Sequence, residues 1–154
     1  MVLSLLIAVV LLYIAVVDAK TMEIPDECSF LLGILAFISI WVEPEISMTD
    51  RIIGACCISV PMYMLCLLIS NAFGGGDIKL TFVMGFYLGW ENMLVGMFLA
   101  VLVGGMQASN LLIGGKVKAG ENAHMAFGPA LCVGMIIAMF WGEELLSWYI
   151  GRFY

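Results

Sequence analysis

Gly74-Gly75-Gly76-Asp77-Ile78-Lys79-Leu80 is the stretch on which the reading of this chain turns. Three glycines and a carboxylate are set among apolar runs, in a chain whose mean hydropathy is +1.11. An ionisable residue at the centre of a membrane helix costs about 2.5–3.5 kcal/mol on insertion scales, so Asp77 needs a reason to stand there. Glycine lets a backbone turn sharply and lets another chain approach closely. The bland account is a loop whose Asp caps the next helix. A second carboxylate changes the weighing. Asp18 also closes an apolar run, 2–17, and is followed by Lys20, Ile24 and Pro25.

Composition fixes the class without any motif. Hydrophobic residues make up 64% of the 154 and charged residues only 12%, far from the balance of a soluble domain. The reading is an all-α polytopic membrane protein, one domain over residues 1–154, with the lipid bilayer as its surroundings. A net charge of −6 offers no basic surface, so nucleic acid is not an expected partner. Cys28, Cys56, Cys57, Cys66 and Cys132 include no Cys-x-x-Cys pair and sit mostly in apolar runs. They read as small buried hydrophobes rather than metal ligands or disulfides, and neither a metal nor a cofactor is expected.

Working outward from the glycine cluster, the hydropathy pattern predicts six helices. The first run, 2–17, has no positive leader and passes straight into Asp18, which disfavours a cleaved signal peptide. A loop at 18–27 carries Lys20, Glu23, Asp26 and Glu27, and Pro25 sets an extended lead into a run at 28–42. Glu43-Pro44-Glu45 ends that helix, and Ser47-Met48-Thr49-Asp50 offers capping groups to the next, 52–72, where Pro61 predicts a kink. Beyond the glycines a short run, 78–90, stops at Trp90-Glu91-Asn92. Runs at 93–113 and 125–150 follow. Gly85 and Gly89, then Gly96, Ala100, Gly104 and Ala108, then Gly134, Ala138 and Gly142 form small-residue stripes suited to close helix packing. Gln107 and Asn110 read as bonds to a neighbouring helix.

The loop 114–124 fails the phosphate-loop pattern, and His124 reads as a solvated loop residue. Six spans put Asp18, Asp77 and Phe127-Gly128-Pro129 at one membrane face. That face carries Lys20, Lys79, Lys116 and Lys118 against Arg51 and Arg152 opposite, which favours it as cytoplasmic.

These motifs resemble the prepilin and preflagellin peptidase family, membrane aspartyl proteases with a Gly-x-Gly-Asp signature. Gly74, Gly76 and Asp77 match it, and Ile78-Lys79-Leu80 continues it. Asp18 to Asp26, with Ile24-Pro25, is similar to the family's first-aspartate loop, with Asp26 where Asn is common. Phe127-Gly128-Pro129 resembles the opening of the family's last helix. The resemblance implies an Asp18/Asp77 dyad that activates water and removes a basic leader from a pilin-like or flagellin-like precursor at the cytoplasmic face. Two close carboxylates cannot both ionise easily and share a proton, which is what such chemistry needs. Gly74 and Gly76 would admit substrate backbone, Lys79 and Lys20 would support, and Glu23, Asp26 and Glu27 would attract a basic leader.

Longer members carry a paired-cysteine segment and also methylate the product. Nothing in these residues corresponds to it, so the chain reads as a peptidase-only short form. Two other readings stay open. A small transporter or assembly subunit would use Asp18 and Asp77 for ions or protons, although no repeat relates the two halves. A presenilin-like protease shares Gly-x-Gly-Asp, but Val17 stands where a tyrosine is usual.

Overall fold

A computed structural model describes residues 1–69, 73–113 and 127–153, and it is helical throughout with no strand among them. The helices are α1 (Val2–Thr21), α2 (Asp26–Val42), α3 (Met48–Leu68), α4 (Gly75–Ile113) and α5 (Gly128–Phe153). Four of them, all but α2, are long and apolar enough to cross a membrane. Twenty residues of α1 reach about 30 Å, the thickness of a hydrocarbon core. The chain is a multi-pass membrane protein.

Six separate helices were expected, and the assigned count among the described residues is five. The difference lies in α4, whose 39 residues include Gly89 at φ 75 and ψ 171, outside any helical region. A straight helix would carry Gly76 and Gly104 about 42 Å apart at 1.5 Å per residue. Yet Gly104 lies against Phe127, whose ring is 6.1 Å from that of Phe73, three residues before Gly76. Gly89 itself packs beside Ile46 and Asp50, near the α2–α3 linker. The chain therefore doubles back at Gly89, as segments 75–88 and 90–113. No loop is needed, because glycine alone tolerates that backbone, and the turn falls one residue before the expected Trp90-Glu91-Asn92 stop.

Small residues set the packing. An added Cβ on Gly54 would strike the backbone of Gly85, Gly89 and Trp90, and one on Gly85 would strike Gly54. The second stripe faces α5: a Cβ on Gly134 would collide with Gly96 and Ala100, and one on Gly142 with Asn92. The stripes thus bring α4 against α3 on one side and α5 on the other, while α1 packs chiefly on α5 and α2 on α4. A core of Ile7, Leu11, Ile14, Leu80, Met84 and Leu131 fills the interior.

Local signals behave as their chemistry requires. Ser47 Oγ accepts from Thr49 N and Asp50 N and caps α3. Pro25 is extended, at φ −61 and ψ 126, just before α2. Pro61 lies inside α3, whose assigned span runs through it. The loop at 114–124, with His124, Lys116 and Lys118, lies outside the described residues.

Arg51 departs from its expected place as a free loop charge. It is 1% exposed. Its Nη1 donates to Ser39 Oγ at 2.7 Å and its Nη2 to the Glu43 carbonyl at 2.7 Å, with Phe86 O at 3.4 Å. Tyr87 Oη is 3.2 Å from both Ser4 Oγ and Glu43 Oε1. This polar knot ties α1, α2, α3 and α4 at the end of the bundle remote from Asp18 and Asp77.

Candidate active site

Helix α1 continues one turn past its apolar run. Asp18 is therefore helical rather than in a loop, and its carbonyl accepts from the amide of Met22, which closes the helix in the left-handed region at φ 56. That extra turn points the Asp18 side chain inward, where it is 4% exposed. Asp77 stands in the first turn of α4 and is 9% exposed. Its amide donates to Gly74 O at 3.1 Å, and its own carbonyl faces the Thr81 hydroxyl at 2.9 Å. Thr81 is wholly buried and fixes this turn. Only its i+4 spacing from Asp77 could have flagged it.

Both aspartates line one cavity of about 580 Å³, together with Val17, Thr21, Met22, Glu23, Pro25 and Gly75. Ile24 and Gly76 line it too and touch, since a Cβ on Gly76 would come within 2.8 Å of the Ile24 side chain. Gly74 would meet Asp77 Oδ2 at 3.4 Å. Asp18 Oδ2 is buried with no hydrogen-bond partner, and Gly128 presses on it so closely that any Cβ there would overlap the carboxylate. Phe127 stacks edge-on with Phe73 beside it, and Pro129 follows in the first turn of α5, where a missing N–H costs little.

Two sequence motifs about sixty residues apart thus line one cavity, and the third, Phe127-Gly128-Pro129, touches Asp18 through Gly128 without lining it. Neither singled-out lysine lines it. Lys79 turns outward, its Nζ 2.6 Å from Asp26 Oδ1 in an exposed ion pair. Lys20 is exposed in the last turn of α1. Among the described residues no cluster of His, Cys, Asp and Glu has the makings of a metal site. The arrangement suits acid–base chemistry by a pair of carboxylates in a partly dry cleft open to one side.

A sequence profile of the type IV leader peptidase family matches residues 5–109 of this chain. The chain belongs to that family. It is 31% identical over 141 residues to the prepilin leader peptidase/N-methyltransferase of Bacillus subtilis (strain 168), covering 91% of this chain and 56% of that one. It is 26% identical over 155 residues to the protein of the same name from Aeromonas hydrophila, covering 97% and 53%. With the one from Legionella pneumophila it shares 37% over 79 residues, or 51% and 26% of the two chains. The chain spans about half the length of the first of these leader-peptidase relatives. No solved structure matches it. The family match runs from α1 into the second segment of α4 and includes both aspartates.

Proposed function

We propose that this chain, as a single membrane-embedded domain, is an aspartyl endopeptidase that cuts the short basic leader from pilin-like or flagellin-like precursors at the cytoplasmic face of the cell membrane. One observation carries the reading: two buried carboxylates from distant motifs line a single cavity at one end of the bundle. One carboxylate, ionised, takes a proton from water as it attacks the scissile carbonyl. The other, protonated, donates to the carbonyl oxygen. As the tetrahedral intermediate collapses, the first passes the proton it took from water to the leaving amine, and the second recovers its own from the diol hydroxyl. The cavity's position matters as much as its chemistry. A helical substrate hides its carbonyls in its own hydrogen bonds, and unwinding it in hydrocarbon leaves polar groups without partners. At the end of α1 and the start of α4 the leader junction is cut where water reaches. Glu23, exposed at the cavity wall, attracts a basic leader.

The test is processing of pilin-like precursors from the same genome by the purified protein, with the new terminus located by mass spectrometry. Cleavage at the junction of basic leader and apolar stem is expected. A transporter using the same carboxylates gives none.

Orientation is tested separately in a cysteine-free variant carrying Met22→Cys, Gly75→Cys or Glu45→Cys, all at exposed positions. Positions 22 and 75 are expected to react with an impermeant thiol reagent only after permeabilisation, and position 45 in intact cells. Opposite behaviour of 22 and 75 breaks the shared-face requirement.

A further inference from the structure

A second and larger hollow, about 950 Å³, lies beside the aspartate cavity and has no part in the chemistry above. Helices α2 and α3 form its walls and the 75–88 segment its floor. The hollow exists because α2 and α3 are drawn together at their linker by Arg51, and do not pack substantially on each other beyond it. Both instead lean on α4. Phe30, Ile34 and Phe37 from α2 face Val60 and Tyr63 from α3 across Phe82. From Asp26 to Ile38 the α2 wall runs about 18 Å, room for about three turns of an apolar helix.

Three features distinguish this groove from an ordinary lipid-facing surface. Asp26 lines both hollows, so the groove ends beside the aspartate cavity, with that one residue between them. Ser29, one turn further along α2, is 6% exposed, lines the groove, and its Oγ has no hydrogen-bond partner. A buried hydroxyl left unpaired is unfavourable, and an acyl chain has nothing to offer it. Ser59, across the groove, already donates to the Ala55 carbonyl. Finally, the end of the groove next to the aspartates carries the exposed Asp26–Lys79 ion pair, the polar end of an otherwise apolar channel.

We infer that this groove docks the apolar stem of the precursor, with the stem's first turn at Ser29 and Asp26 and its leader passing into the aspartate cavity. The inference rests on the function proposed above. The first turn of any helix has backbone N–H groups without internal partners and carries the positive end of the helix dipole. The unpaired Ser29 hydroxyl oxygen, reached by a turn of its side chain, and the Asp26 carboxylate, shared with Lys79, match both. The apolar walls match the turns that follow, and the exposed Phe30 and Phe37 leave the groove open on the side of α2 away from the bundle, where a stem can enter.

Gly33 allows a clean test, because it lines the groove and an added Cβ meets nothing within 4 Å. Gly33→Phe therefore starts from open space and directs its ring into the groove. Gly105→Phe, equally open but outside the groove, is the control. Two substrates are compared: the full precursor and the same peptide ending a few residues past the cut. For Gly33→Phe, KM for the full precursor is expected to rise about tenfold or more with kcat little changed, while the short peptide is unaffected. An unchanged KM for the precursor, or equal changes for both substrates, overturns the inference. In parallel, p-benzoylphenylalanine at Phe37 of the Asp77→Asn protein is expected to crosslink to the precursor. Cleavage by wild type with crosslinking to lipid alone sinks the docking site and leaves the peptidase standing. Crosslinking to the precursor without cleavage by wild type sinks the peptidase and leaves the docking site.

Discussion

Asp77→Asn and Asp18→Asn are each expected to lower precursor processing at least about a thousandfold while the protein still accumulates in the membrane. Asparagine keeps the size of the side chain and removes the ionisable group, so packing is preserved and only acid–base capacity is lost. Neither carboxylate can be replaced by its partner, since one must accept a proton while the other gives one. Lengthening the side chain fails for a different reason. Gly128 presses on Asp18, and both side chains face the cavity, so Glu at either site pushes its carboxyl further into the space the substrate needs. Catalytic groups tolerate displacements of only about 0.5 Å. Glu27→Gln, at an exposed position outside the cavity, is expected to retain most activity. Densitometry of precursor and product in one assay reads all of these together.

The second large effect is on stability. Gly54→Leu places a side chain into backbone rather than into movable side-chain ends: the carbonyl of Gly85 and the main chain at Gly89 and Trp90. Helix α3 must move away from α4, and overpacking of this kind costs about 1–3 kcal/mol or more. In a chain of this length each kcal/mol is worth about 2–4 °C. A fall in Tm of about 5–10 °C in detergent is expected, against no fall for Gly105→Leu, where nothing lies within 4 Å of the new Cβ. An unchanged Tm for Gly54→Leu contradicts the close crossing of α3 and α4.

Much of this architecture was legible because its signals are local. The Ser47 cap, the extended Pro25 and the small-residue stripes each state a short-range requirement that the fold meets. The stripes told which helix faces are close-packed but not against what, and Gly54, the partner of Gly85, went unremarked because it is isolated in its own helix. Helix α1 was cut short at Asp18 because hydropathy falls there, whereas hydrogen bonding carries the helix to Thr21 and so buries the carboxylate. Arg51 reads as a loop charge in the sequence, since no one-dimensional pattern reveals that Ser39, Glu43 and Phe86 converge on it. The aspartate motifs were readable, but not the pressing of Gly128 on Asp18 or the outward turn of Lys79. The groove between α2 and α3 was invisible, being a gap between helices rather than a property of either.

The central claim is that Asp18 and Asp77 work as one catalytic unit, and a double-mutant cycle tests it most directly. Wild type, Asp18→Asn, Asp77→Asn and the double variant are assayed on one precursor under single-turnover conditions, with contaminating protease excluded. If the carboxylates act together, the double variant loses hardly more than either single one. Losses that multiply, or full cleavage by Asp77→Asn, contradict the dyad.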